Sequence, residues 1–121
     1  MNRSFSKIRH IQESNQQLEK RMLNENISSR DESGDLNLEF NDSFVLLRDL
    51  TQKKVQHYLS KMSESVNYLV IMDCQGVDFS DVDICSFNQL IHINLSGTPN
   101  NFDEFNDCGF EEYKPNFYSK K

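Results

Sequence analysis

The chain has 121 residues, a formal net charge of −6 and a mean hydropathy of −0.69, and 36% of its residues are hydrophobic. That length holds one small domain with extensions, and that polarity leaves part of the chain extended. No apolar run approaches the roughly 20 residues of a membrane span, and the basic start leads into polar residues instead of the apolar core of a signal peptide, so no membrane role is expected. Charge is uneven: residues 1–22 carry a net of +3, which leaves −9 for the remainder. An acidic body argues against nucleic acid as a partner. The three cysteines show neither CxxC nor zinc spacing, and their odd number suits a reducing compartment. Unpaired core or turn thiols and a cytoplasmic location are therefore expected.

At the N-terminus Ser4 or Ser6 caps a helix that runs to about Met22, and residues 1–23 form an amphipathic segment. Its apolar sites Ile8, Ile11, Leu18 and Met22, with Asn15 between, step by three and four as in a coiled coil. Two heptads are marginal alone, so the helix either docks on its own body or pairs with a second copy, making a homodimer through residues 8–22. Glu13 and Glu19 count against a mitochondrial presequence. The run IRHIQESNQQLEKRML is similar to the opening of small uncharacterised proteins of tailed phages of marine bacteria, a resemblance that carries no chemistry and implies at most an accessory or assembly role.

Residues 24–34 are polar and aperiodic and read as a linker into a domain over 35–121. Leu36, Leu38 and Phe40 alternate with polar residues, which predicts a strand near 36–40. Phe44 to Leu47 is apolar. Asp49 or Thr51 then opens a helical pattern with Val55, Tyr58, Leu59 and Met62 on one face.

The stretch from Val66 to Thr98 organises the chain. Val66 and Leu90, Leu69 and Ile93, Ile71 and Leu95, and Cys74 and Thr98 are each 24 residues apart. One supersecondary unit is repeated beside itself. Strands near 69–73 and 93–97 place Leu69, Ile71, Ile93 and Leu95 on a buried face. Cys74 and Thr98 fall where the chain leaves the strand, and a small polar group there can bond backbone that has left the ladder. The shared L-x-x-L-x-L-x-x-(C/T) pattern and the run LSGTP resemble the leucine-rich repeat family, with a weaker unit upstream at Leu36, Leu38 and Asn41. The resemblance implies an α/β solenoid with a row of parallel strands, preceded by the N-terminal helix.

Phe102, Phe105, Phe110, Tyr113, Phe117 and Tyr118, interleaved with acids, read as a closing cap or as an acidic-aromatic peptide for a partner. Little else carries chemistry. His10, His57 and His92 stand apart from any zinc pattern, and Cys85 has no base fixed by sequence. Asp78, Asp81 and Asp83 lack the glycine and terminal glutamate of a calcium loop. No catalytic, metal or cofactor residue is assigned. Two other resemblances remain open. MDCQG-VDFSD-VDICS is similar to pentapeptide repeats, and LVIMDCQGVDFSD is similar to the strand and turn of STAS domains, with Ser80 as the phosphorylatable residue. The repeat reading leads to a non-enzymatic module that binds a protein partner through an exposed strand face made of Tyr68, Val70, Met72, His92, Asn94 and Ser96, with Asp73 and Gly97 at the rim. The competing class is a structural protein that self-associates through its N-terminal helix.

Overall fold

The computed structural model describes residues 14–25, 43–105 and 108–120. Among them run α1 (Asn15–Asn24), β1 (Phe44–Arg48), α2 (Gln52–Leu59), β2 (Tyr68–Met72), two single 3-10 turns (Phe79–Asp81 and Ile84–Ser86), β3 (His92–Asn94), the short α3 (Phe102–Phe105), β4 (Phe110–Lys114) and β5 (Phe117–Lys120). The strands form one mixed sheet in the order β1-β2-β3-β5-β4. β1, β2 and β3 are parallel, whereas β5 pairs antiparallel with both β3 and β4.

The parallel half keeps a constant period. Phe44, Tyr68 and His92 lie side by side, as do Val45, Leu69 and Ile93, and then Leu46, Val70 and Asn94. Beyond each strand the chain reaches a residue with positive φ, at a spacing of 24: Asp49 at 62°, Asp73 at 53° and Gly97 at 72°. The left-handed conformation turns the chain off the sheet at the same step of each unit. At Gly97 only glycine fits, because a Cβ would collide with the Asp73 carboxylate. The following residue turns inward, and Leu50, Cys74 and Thr98 are all buried. Thr98 Oγ1 donates to Ile71 O at 2.9 Å and accepts from Cys74 N at 3.1 Å. This is the backbone-bonding role that the repeat assigns to its ninth site. Beyond it, Gln75 N bonds Leu50 O at 2.9 Å and Val77 N bonds Pro99 O at 3.0 Å, so the units stay stitched past the strands.

One face of the sheet carries the larger core. Val45, Leu47, Leu69, Ile71, Ile93 and Leu95 point into it with the helix and turn residues Val55, Leu59, Phe79 and Ile84. α2 begins where Thr51 Oγ1 accepts from Lys54 N at 3.2 Å, which satisfies a donor of its first turn. In the second unit two 3-10 turns replace the helix. The first is capped by Asp78, whose Oδ1 accepts from Ser80 Oγ at 2.6 Å, Ser80 N at 2.9 Å and Asn101 Nδ2 at 2.8 Å. Those bonds hold the Asp78 carboxyl below its usual range, the Ser80 hydroxyl most of all.

The C-terminal hairpin ends the parallel run. Its turn places Asn116 at φ 69° after Pro115, and Leu95 N bonds Asn116 O at 2.8 Å. Phe102 packs edge-on against Phe79 (centroids 5.2 Å) and Phe110 (5.7 Å) and tilts against Tyr118 at 4.3 Å. Three of the six C-terminal aromatics thus enter the core, while Phe105 and Tyr113 stay exposed. Burial, and then the Asp103 and Glu112 charges, push the Tyr118 hydroxyl far up.

Several expectations need adjustment. The strand near 36–40 lies outside the described residues, and the first parallel strand described is Phe44–Arg48, 24 residues ahead of its neighbour. The strand near 93–97 spans only His92–Asn94, because Gly97 and Thr98 already belong to the turn. The heptad ladder is not one continuous helix: Ser14 is an extended N-cap (ψ 147°) whose side chain accepts from Gln17 N, and Ile8 and Ile11 lie outside the described residues. The cysteines are not all unpaired. Cys85 and Cys108 form a disulfide, with Cα atoms 5.3 Å apart, and Cys74 remains free and buried. The fold brings together two residues whose separation of 23 gave no sign of pairing, and the ground for a reducing compartment falls with it.

Leu95→Ala is expected to destabilise the chain by about 2–5 kcal/mol through the cavity it leaves, and Thr98→Val by about 1–3 kcal/mol through the orphaned Cys74 N–H and Ile71 carbonyl. Urea denaturation of both variants checks this, and an unchanged midpoint for Leu95→Ala would remove the shared core. Cys85→Ser should lose about 3 kcal/mol. A reductant should then lower the wild-type melting temperature to that of the variant and leave the variant unmoved.

Candidate functional site: the sheet face under helix α1

The second face of the sheet bears one residue of each repeat unit in every row. Phe44, Tyr68 and His92 make the first row, a stack with ring centroids 6.1 Å and then 4.2 Å apart and planes 22° and 16° from parallel. Tyr113 and Phe117 extend it, each 6.4 Å from His92. Leu46, Val70 and Asn94 make the second row, and Arg48, Met72 and Ser96 the rim. All six residues expected to bind a partner therefore share this face.

The face is not open. α1 lies on it, burying Leu18 and Met22 against Phe44, Leu46 and Val70. Val70 and Asn94 are 0% exposed and His92 is 7% exposed, while Tyr68, Met72 and Ser96 are half-buried. The expectation of an exposed strand face is corrected accordingly. The physical reason lies in the parallel sheet, which is stable with both faces covered, and the apolar Phe44, Leu46 and Val70 demand that cover. Burial of Leu18 and Met22 contributes about 3–6 kcal/mol together as an upper estimate. A ten-residue helix is marginal in isolation, so this docking is what holds it.

A polar contact fixes where α1 sits. Glu19 is buried beside its apolar neighbours, and its Oε2 accepts from Asn94 Nδ2 at 2.7 Å. Its Oε1 lies 3.5 Å from His92 Nε2, which makes no hydrogen bond among the described residues. Asn94 is held in one orientation, because its Oδ1 accepts from Ser96 Oγ at 2.6 Å and Ser96 N at 3.0 Å. Asn15, at the start of α1, donates to Asn67 Oδ1 at 2.6 Å, so it is no coiled-coil core position here. Burial first and the Glu19 charge second push the Tyr68 and Tyr113 hydroxyls up. At the rim Arg48 Nη2 reaches Asp73 Oδ2 at 3.6 Å.

The arrangement can receive a helix and read a carboxylate on it. His92 faces Glu19 and stacks on Tyr68. Among the described residues no three His, Cys, Asp or Glu side chains group as metal ligands would, and no helix is long and apolar enough to cross a membrane. An open hollow of about 440 Å³ elsewhere is lined by Phe79, Ser80, Asp81, Cys85 and Phe105, among others, with Cys85 tied in the disulfide. Sequence reasoning missed Phe44 and Leu46, although stepping back 24 residues from Tyr68 and Val70 reaches them. It also missed Glu19 as a buried group, although it lies beside Leu18, which with Met22 marks the buried side of α1.

Asn94→Asp places a carboxylate against Glu19 in place of a donor. Losing a hydrogen bond to a charged group costs about 1.5–3 kcal/mol, at least tenfold in the docking equilibrium. Amides of α1 should exchange at least about tenfold faster, and trypsin should cut at Lys20 and Arg21, while the Leu69 and Ile93 amides stay protected. Unchanged α1 exchange would mean that Glu19 does not hold the helix.

No protein-family model, curated protein or solved structure matches the chain.

Proposed function

We propose that the chain is a non-enzymatic protein-interaction module that receives an amphipathic helix on the face made by Tyr68, Val70, Met72, His92, Asn94 and Ser96. In this reading it is a short leucine-rich-repeat-like solenoid of 24-residue units, closed by the C-terminal hairpin. The constant register of Phe44, Tyr68 and His92 and the recurring left-handed turn at Asp49, Asp73 and Gly97 support the repeat. One observation carries the function. A buried Asn94–His92 pair sits beside an apolar patch, and a helix carboxylate between apolar anchors accepts from Asn94 and lies against His92. Apolar burial supplies the attraction, and the polar pair selects the ligand.

A photo-cross-linking methionine analogue placed at Met72, at the half-buried rim, tests this reading. With Leu18→Asp and Met22→Asp releasing α1, the expected adduct is to a different protein from the chain's native host, and it should weaken strongly in wild type. Adducts to this chain's own α1 or to a second copy in every background would replace the module with a self-assembling protein.

A further inference from the structure

We infer that α1 is an in-cis stand-in for the partner, so that the partner is an amphipathic helix with an acid directly after the first of two apolar residues one turn apart, and it binds by displacing α1. The inference rests on the interaction-module reading and adds the partner's chemistry and its competition with α1.

The face dictates that pattern. Asn94 Oδ1 is occupied by Ser96 N and Oγ, so Asn94 Nδ2 is left facing α1 as a donor only. His92 Nε2 lies on the same carboxylate from the other side. Together they select an anion held by one hydrogen bond and one close ring nitrogen. Beside them Phe44, Leu46 and Val70 accept Leu18 and Met22, which are four apart on one helix face. Glu19 follows Leu18 directly, which turns its side chain toward β3 while the two anchors lie over β1 and β2.

The stand-in is short. Its grip consists of Leu18, Glu19 and Met22, with partly buried Leu23 beside them, together with Asn15 on Asn67 and Ser43. Its outer residues Gln16, Gln17 and Lys20 are exposed and polar. A longer helix carrying the same three anchors gains contacts that ten residues lack. What α1 has in its favour is the tether, which gives it an effective concentration of about millimolar. A free helix that binds the vacant face at about 0.1 mM should therefore bind wild type about tenfold more weakly.

The experiment uses a fluorescent peptide of residues 14–25 and the full chain. Anisotropy titration should show saturable binding to the Leu18→Asp, Met22→Asp chain and about tenfold weaker binding to wild type. The same peptide with Glu19→Lys should lose at least tenfold on the released chain. Near-UV circular dichroism checks that the released chain keeps its core. If it does not, the full chain carrying Glu19→Lys serves as the released form. Equal affinity for wild type and the released chain overturns the competition, and equal affinity of the two peptides overturns the carboxylate pattern. A wild-type chain that sediments as a dimer in the titrated range assigns the face to a second copy and overturns the inference. A peptide that binds neither chain overturns it too, whereas a Met72 adduct to another protein would still leave the module reading standing on a different ligand.

Discussion

β1 and β2 are apolar on both faces, so this part of the sheet has to be covered twice. Val45 and Leu47 point to one side of β1, and Phe44 and Leu46 to the other, all within 3% exposure. The crossover segments cover one side as a consequence of chain connection, because parallel neighbours must be joined across a face. Among the described residues, no segment between the strands covers the other side. That cover comes from α1, a segment outside the repeat, and its hold on the sheet follows from the same need to keep Phe44, Leu46 and Val70 from water.

The cover is attached by two kinds of interaction with different roles. Leu18 and Met22 supply non-directional burial. Glu19, Asn94 and His92 supply direction, since a buried carboxylate costs stability unless it is hydrogen-bonded and faced by opposite polarity. The polar contact thus adds less to the hold on α1 than to where α1 sits. Asn94 meets Glu19 as a donor because Ser96 locks its amide. Ser96, half-buried at the rim, therefore acts on the position of α1 through Asn94.

The far end of the sheet is closed differently. β5 runs antiparallel to β3 and satisfies its outer edge, so the parallel ladder has no open side there. The hairpin is fastened by Phe102, Phe110 and Tyr118 in the core, and the disulfide from Cys85 ties the chain just ahead of it at Cys108.

The sequence by itself determined the 24-residue period, the core column of Leu69, Ile71, Ile93 and Leu95, the pairing of Val70 with Asn94, and the polar bonding role of Thr98. Each follows from local alternation and from side-chain chemistry at a strand end, which need no knowledge of distant residues. Alternation also put the six face residues together, but it could not say that the face is covered, because burial depends on what packs from outside the strand. Only the tertiary structure decided that Leu18, Glu19 and Met22 lie on Phe44, Val70 and Asn94, a contact spanning 75 residues between Glu19 and Asn94. The same holds for Cys85 and Cys108, whose meeting depends on where the 3-10 turns and the hairpin approach each other. An amphipathic helix announces that it has an apolar side, and an alternating strand that it has two faces. Which apolar surface meets which is set by the three-dimensional path of the chain between them, and no periodicity records that path.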